Sequence, residues 1–167
     1  LENNSIQIAK SRTCTACGRV FAMRNVNDIK KNNIQSVNSR QCFERLSKVS
    51  DSHLVDVRTK SEWLFVGLPD LQSLQKKTVC VSWHVYPDME INVNFESEIL
   101  DSGINKQDTV FLICRSGQRS SDAADFLASR GFTNCCNVID GFEGEIGPDH
   151  QRSTVNGWKY CKLPWKQ

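Results

Sequence analysis

The chain has 167 residues, which fits one domain with a core of ordinary size and is too short for two full domains. Its composition, 39% hydrophobic and 24% charged, is typical of soluble globular proteins, and no apolar run is long enough for a membrane span. A net charge of +2 is too small to indicate nucleic acid. We therefore expect neither nucleic acid nor membrane as a partner.

Residues 1–33 are rich in Asn, Lys, Arg and Ser and lack sustained periodicity, so we interpret them as an N-terminal extension before a domain at 34–167. Cys14 and Cys17 have the spacing of half a zinc site or of a redox pair, but no second Cys/His pair follows at a suitable distance. The eight cysteines of a chain this long do not indicate a disulfide framework, and its start resembles no signal peptide. A reducing cytoplasm is the expectation.

The first regular pattern is an amphipathic helix over residues 39–48, with Asn38 or Ser39 as its cap. A strand is predicted at 53–58, and a short helix at 61–66 ends before Gly67. Together they form one strand–helix step.

A second strand is predicted at 78–83, followed by a helix near 95–100. The almost wholly apolar run 109–113 is typical of a strand buried on both faces of a parallel sheet. A helix at about 120–130 and a strand at 136–139 complete the alternation. The inner stripe of that helix would consist of Ala123, Ala124, Leu127 and Ala128. The alternation predicts a three-layer α/β/α sandwich around a mostly parallel sheet.

The loop after strand 109–113 carries the chemistry, because Cys114 lies at the end of a buried strand and a helix begins shortly after it. Sulfur nucleophiles react as thiolates, which backbone donors, cations and helix N-termini stabilise. A tight curl permitted by Gly117 would turn successive amides inward and form a nest for an anion. Arg115 and Arg119 add positive charge for an anionic donor such as thiosulfate, and which of them binds it stays open.

Three segments in order carry a resemblance: 51–63, with Leu-Val-Asp-Val-Arg at its centre; 114–120, Cys-Arg-Ser-Gly-Gln-Arg-Ser; and 137–144, Asn-Val-Ile-Asp-Gly-Phe-Glu-Gly. Together they resemble the rhodanese family over about residues 34–165, and the end of the chain is similar to that of single-domain bacterial members. One departure is Leu68, where the family often has a histidine, so no role of that histidine is carried over.

The resemblance implies a sulfurtransferase in which Cys114 takes a sulfane sulfur from a donor and passes it, as a persulfide, to cyanide or a thiol. It also implies that the backbone of residues 115–119, Arg115, Ser116, Gly117, Gln118 and Arg119, stabilises the persulfide without a metal or organic cofactor. The expected partners are a small sulfur-donor anion, a thiol or cyanide acceptor and, as an open alternative, a sulfur-relay protein.

Other polar residues have simpler interpretations. Asp56, Arg58 and Glu62 are expected to form an ion-pair network that fastens the edge of the sheet. His53, His84 and His150 are too scattered for a ligand cluster. The adjacent pair Cys135 and Cys136 would fill the core on opposite faces of a strand. Around the pocket mouth we expect Trp83, His84 and Tyr86.

Two competing functions remain open. Dual-specificity phosphatases of the cell-division-cycle type share the fold, but they place an arginine six positions after the cysteine, whereas Arg119 is five positions after Cys114. A shorter cradle suits a single sulfur atom better than a phosphate. The second alternative is a non-enzymatic regulatory or binding module, because a fold alone does not establish activity.

Overall fold

The computed structural model describes residues 34–167 together with two short strands near the start of the chain, β1 (Arg12–Thr13) and β2 (Val20–Phe21). The chain divides into two compact units, Leu1–Lys31 and Asn32–Gln167. In the first unit, β1 and β2 pair antiparallel. Cys14 and Cys17 lie outside the described residues, so metal or disulfide chemistry at this pair stays a prediction.

In the second unit, the described residues 34–167 form nine strands and four α-helices. The strands are β3 (Gln35–Val37), β4 (Ser52–Asp56), β5 (Leu68–Pro69), β6 (Thr78–Cys80), β7 (His84–Val85), β8 (Glu90–Ile91), β9 (Thr109–Ile113), β10 (Asn134–Val138) and β11 (Trp165–Lys166). The helices are α1 (Ser39–Lys48), α2 (Lys60–Val66), α3 (Phe95–Asp101) and α4 (Gln118–Ser129). None of these helices is long and apolar enough to cross a lipid bilayer.

Five strands form the central sheet in the order β3-β10-β9-β4-β6, and every neighbouring pair is parallel. The apolar strand β9 occupies the middle, with Ile113 beside Asp56 of β4 and Leu112 beside Asn137 of β10. This register brings the carboxyl ends of β4, β9 and β10 together at one edge. In open α/β sheets, that edge is where ligands bind.

Helices cover both faces of the sheet, which confirms the predicted α/β/α sandwich. On one face Phe95 and Ile99 of α3 and Leu127 of α4 pack on the sheet. On the other face Leu46 of α1 packs with residues of the C-terminal segment. Cys135 and Cys136 are both buried, one in each core, as their alternation along β10 predicts.

The predicted helices and strands are present, with changes at their ends. Asn38 caps α1, because its side chain accepts a hydrogen bond from the Gln41 N–H at 2.9 Å. Helix α4 begins at Gln118, two residues before the predicted start, and Ser120 takes the place in its buried stripe that was assigned to Ala128. The strand predicted at 78–83 ends at Cys80, although Trp83 N–H still donates to the Val57 carbonyl at 3.0 Å.

Candidate active site

Cys114 lies directly after β9, at the sheet edge where the carboxyl ends of the central strands meet. Its side chain is buried, with 1% of the residue exposed. The backbone N–H of Gly117 donates a hydrogen bond to Cys114 Sγ at 3.1 Å. Among the described residues, no other cysteine sulfur accepts a hydrogen bond from the backbone. This bond is the start of the predicted anion nest.

Gly117 is the residue that makes this loop geometry possible. It is the N-cap of α4 and has a backbone φ of 96°. This left-handed conformation is one that residues other than glycine rarely adopt. A Cβ atom at this position would lie 2.1 Å from the Ile139 carbonyl oxygen, far inside contact distance. Both the backbone conformation and the lack of space therefore require glycine between Cys114 and the helix.

The segment after β10 supports the loop from behind. The N–H of Phe142 donates to the Cys114 carbonyl at 2.8 Å, and the N–H groups of Glu143 and Gly144 both donate to the Arg115 carbonyl at 3.0 Å. The carbonyls of Cys114 and Arg115 are thus satisfied. The N–H groups of Arg115, Ser116, Gln118 and Arg119, by contrast, have no hydrogen-bond acceptor within residues 34–167. These four amides are available to an anion.

A cavity of about 420 Å³ opens at the loop. Five of the six predicted site residues line it: Cys114, Arg115, Ser116, Gln118 and Arg119. The remaining walls come from Thr59, Glu62, Tyr86 and Met89. Gly117 is absent from the lining and acts through its N–H. The structure thus brings all six predicted residues together, and the cavity offers far more room than one sulfur atom needs.

The two loop arginines differ in their partners. Arg119 forms a bidentate ion pair with Glu62, through Nη1 to Oε2 at 2.9 Å and Nη2 to Oε1 at 2.7 Å. Arg115 is exposed and forms no ion pair with any described residue. Arg119 is therefore held against α2, while the charge of Arg115 is unneutralised beside the cavity.

Glu62 links the start of α2 to this loop. It accepts hydrogen bonds at 2.9 Å from both the N–H and the hydroxyl of Thr59, the helix cap, in addition to those from Arg119. Burial raises the pKa of Glu62, but the hydrogen bonds from Arg119 and the Thr59 backbone outweigh it and lower the pKa to about 2. The pKa of Arg119 is raised by its hydrogen bond to Glu62. Both groups are charged at neutral pH.

The prediction that three charged residues form one ion-pair network at the sheet edge is wrong, because Glu62 does not belong to it. Asp56 and Arg58 form a fully buried pair, with Arg58 Nη2 2.7 Å from Asp56 Oδ2. Glu62 pairs with Arg119 instead. The Arg58 guanidinium also lies 4.2 Å from the centre of the Phe142 ring. It therefore holds the residue whose N–H binds the Cys114 carbonyl, because close packing fixes the backbone around Phe142.

Expectations about the pocket mouth are met in part. Tyr86 lines the cavity, but Trp83 is 4% exposed and packs against Phe95, so it belongs to the core. His84 does not line the cavity. Leu68 lies in β5, paired with β11, and lines a different cleft.

Four residues of the site were missed by the sequence reasoning. Thr59 and Met89 line the cavity, and buried Ser120 and Asn137 lie behind Cys114, with Ser120 Oγ 3.3 Å from Sγ. Ser120 and Asn137 stand within two of the segments that carry the rhodanese resemblance. Their place in these two segments was the sequence signal that could have identified them as site residues.

Four other thiols, of which Cys80 belongs to an exposed residue and the rest to buried ones, are in different surroundings. Burial raises the pKa of Cys80 to about 11 and that of Cys135 to about 12, so both stay protonated at neutral pH. Burial raises the pKa of Cys42 and of Cys136 as well. Cys114 differs from them in its backbone donor and in the arginine beside it, which is the setting of a reactive thiol.

Solved structures with the same architecture identify the class of fold. The crystal structure of Rv0390 from M. tuberculosis superposes with a TM-score of 0.72 at 39% identity, covering 80% of this chain and 97% of that one. A polysulfide-sulfur transferase from Wolinella succinogenes superposes with a TM-score of 0.52 at 20% identity, covering 80% and 78%. The fold is rhodanese-like.

Residues 32–167 match the family described as the STR4 middle domain, and the chain belongs to this family. An uncharacterized protein of Rickettsia prowazekii, RP600, is 37% identical over 134 residues, which are 80% of this chain and 98% of the relative. The adenylyltransferase and sulfurtransferase uba4 of Ogataea parapolymorpha is 29% identical over 109 residues, 65% of this chain and 24% of that protein.

Replacing Glu62 by Gln tests the ion pair that anchors Arg119. Because the folded pKa of about 2 lies below the ordinary value of 4.5, the contribution of this carboxylate is fully present above pH 4.5 and lost as the pH falls toward 2. We expect E62Q to lower the free energy of unfolding by roughly 2–3 kcal/mol at neutral pH. Urea denaturation at a series of pH values measures the difference, which should shrink as the solution is acidified.

The matched control is Glu44→Gln, since Glu44 pairs with Lys48 on the surface of α1. Solvent screens an exposed pair of this kind, so the urea midpoint of E44Q should equal that of the unmodified chain. An E62Q difference that stays constant from neutral to acidic pH would contradict the assigned role of Glu62.

Proposed function

We propose that the chain is a sulfurtransferase that moves a sulfane sulfur from an anionic donor to a thiophilic acceptor through a persulfide on Cys114. The observation that carries the proposal is the Gly117 N–H donated to Cys114 Sγ at 3.1 Å inside a cavity bordered by two arginines. A donor aimed at the sulfur favours the thiolate, which is the nucleophilic form.

In the first half-reaction the Cys114 thiolate attacks the outer sulfur of a donor such as thiosulfate. A bond forms between Sγ and that sulfur, the donor S–S bond breaks, and sulfite leaves with the electron pair. The four loop amides that have no acceptor among the described residues surround the new persulfide, and their dipoles offset its charge. The step needs no external oxidant, because the transferred atom is already a sulfane sulfur in the donor and the electron pair of the broken bond leaves with sulfite.

In the second half-reaction the acceptor attacks the outer sulfur of the Cys114 persulfide. The bond to Sγ breaks, its electron pair returns to Sγ, and the Cys114 thiolate is regenerated. Cyanide would leave as thiocyanate and a thiol as a persulfide. The cavity of about 420 Å³ has room for either acceptor, and a cysteine on the surface of a sulfur-relay protein is a third candidate.

The two arginines have different roles in this proposal. Arg119 is a positioning residue, since Glu62 already occupies two of its donors and holds it beside the loop. Arg115 is the residue that recruits the anionic donor, because its exposed guanidinium is free of other ion pairs within the described part of the chain. This assigns the roles that the sequence left open.

The comparisons support the reaction class. One relative, 29% identical to this chain, carries the word sulfurtransferase in its name, and it matches here over 65% of the chain. Within residues 34–167, no contact favours a phosphatase. Arg119, the arginine nearest in sequence to the phosphatase position, is held by Glu62.

Mass spectrometry of the peptide that contains Cys114 tests the reaction directly. After incubation with thiosulfate, mercaptopyruvate or a cysteine-desulfurase donor in turn, we expect one additional sulfur atom on this peptide and its loss when cyanide is added. Cys114→Ser should carry no sulfur and should form no thiocyanate. Cys80→Ser is the matched control, since the high pKa of Cys80 keeps that thiol protonated, and it should behave as the unmodified chain does.

A chain that takes up no sulfur from any of these donors, while C114S keeps the biological role of the protein, would favour a regulatory module. Turnover of an aryl phosphate that depends on Cys114 would favour a phosphatase. Either result would overturn the proposed reaction.

Replacing Arg115 by Gln tests donor recruitment. Loss of one charge-assisted hydrogen bond should raise the KM for thiosulfate by about tenfold and leave kcat nearly unchanged. Arg130→Gln removes the same charge at the far end of α4, and its KM should equal that of the unmodified chain. Equal effects of the two substitutions would show that only the overall charge matters, and would contradict a specific role of Arg115.

A further inference from the structure

Ser120 lies behind Cys114 in the first turn of α4 and is fully buried. Its Oγ is 3.3 Å from Cys114 Sγ, 3.1 Å from the Gly117 carbonyl oxygen and 2.7 Å from Asn137 Oδ1. A serine hydroxyl has a single proton to donate, so it can serve only one of these three acceptors at a time. Which of the three acceptors receives the proton therefore depends on the chemical state of the site.

Asn137 is the one of these three partners whose side-chain amide can either accept from or donate to the hydroxyl. It is 6% exposed on β10, beside β9, and its side chain contacts Ser120 directly. With Oδ1 facing Ser120, the amide accepts the hydroxyl proton. A half-turn of the amide places Nδ2 there instead, and Asn137 then donates to Ser120 Oγ, so the hydroxyl proton is free for Sγ. The two arrangements need no backbone movement.

We propose that Ser120 and Asn137 act as a positioning pair whose hydrogen bonds change direction with the charge on Cys114. When Sγ is neutral, the hydroxyl proton points to Asn137 Oδ1. When Sγ becomes a thiolate, the amide turns and a hydrogen-bond chain runs from Asn137 through Ser120 to Sγ. Such a chain is polarised along its length and strengthened in the buried interior, where it meets a full negative charge.

This inference rests on the proposed function and assigns the pair to one step of it. As the acceptor removes the outer sulfur, the electron pair of the breaking bond stays on Cys114 Sγ, and the Ser120 O–H turns toward that growing charge. No proton leaves Ser120, and no covalent bond to either residue forms. The pair stabilises the leaving thiolate from the core side, while Gly117 N–H stabilises it from the loop side.

The rate of Cys114 alkylation by iodoacetamide, followed at the peptide level across a pH series, measures thiolate stability without any sulfur transfer. In Ser120→Ala the midpoint of this profile should move up by about one pH unit, the shift expected for loss of one hydrogen bond to a charged sulfur. Ser120→Thr keeps the hydroxyl and should restore the midpoint. Ser52→Ala is the control, because it removes another buried serine hydroxyl at the opposite end of β4 and should leave the profile unchanged.

Asn137→Ala tests the relay itself. Alone, it should move the midpoint upward by less than S120A does. In the S120A background it should add nothing, because Asn137 acts only through the hydroxyl. The acceptor step should slow by about tenfold in S120A, with the KM of the donor unchanged.

The proposed role of the pair would be overturned if S120A and the unmodified chain gave the same alkylation profile. It would also be overturned if N137A shifted the midpoint equally in the unmodified chain and in S120A. Because alkylation needs no persulfide, this result is independent of whether any donor loads Cys114. Failure of the proposed function therefore leaves the positioning pair testable.

Discussion

The hydrogen bond from Gly117 N–H to Cys114 Sγ depends on a left-handed backbone at the one residue that joins the loop to α4. That conformation begins the helix at once and turns a peptide dipole onto the sulfur. The rest of the site holds this curl in place. Backbone N–H groups of the segment after β10 bind the loop carbonyls, and the buried Arg58 packs on Phe142 within that segment. The core is thereby coupled to the candidate site.

The fold was largely predictable from hydrophobic pattern and cap chemistry. Strand β9 matches its predicted bounds because a short, continuous apolar run is typical of a strand buried on both faces, and α1 begins where its asparagine cap places it. The short strands β3, β5 and β11 and the hairpin of β7 and β8 were missed, since two or three residues carry no period. Their pairing is decided by distant parts of the chain.

The candidate site was predictable where it is continuous in sequence and not where it is assembled from several elements. Residues 114–119 were all named, and all take part in the loop. The pairing of Arg119 with Glu62, 57 residues away, was not predicted, because it depends on how α2 sits against the loop. Ser120 was assigned to no role, because α4 begins earlier than its pattern indicates and because its partner Asn137 comes from a neighbouring strand.

A crystal structure of the chain after reaction with thiosulfate tests the central claim most directly, since it locates the transferred atom. We predict one additional sulfur bonded to Cys114 Sγ, within about 3.5 Å of several backbone nitrogens of residues 115–119, as hydrogen bonds to sulfur require. A sulfur turned away from those amides into apolar surroundings, or bound to a different cysteine, would contradict the account.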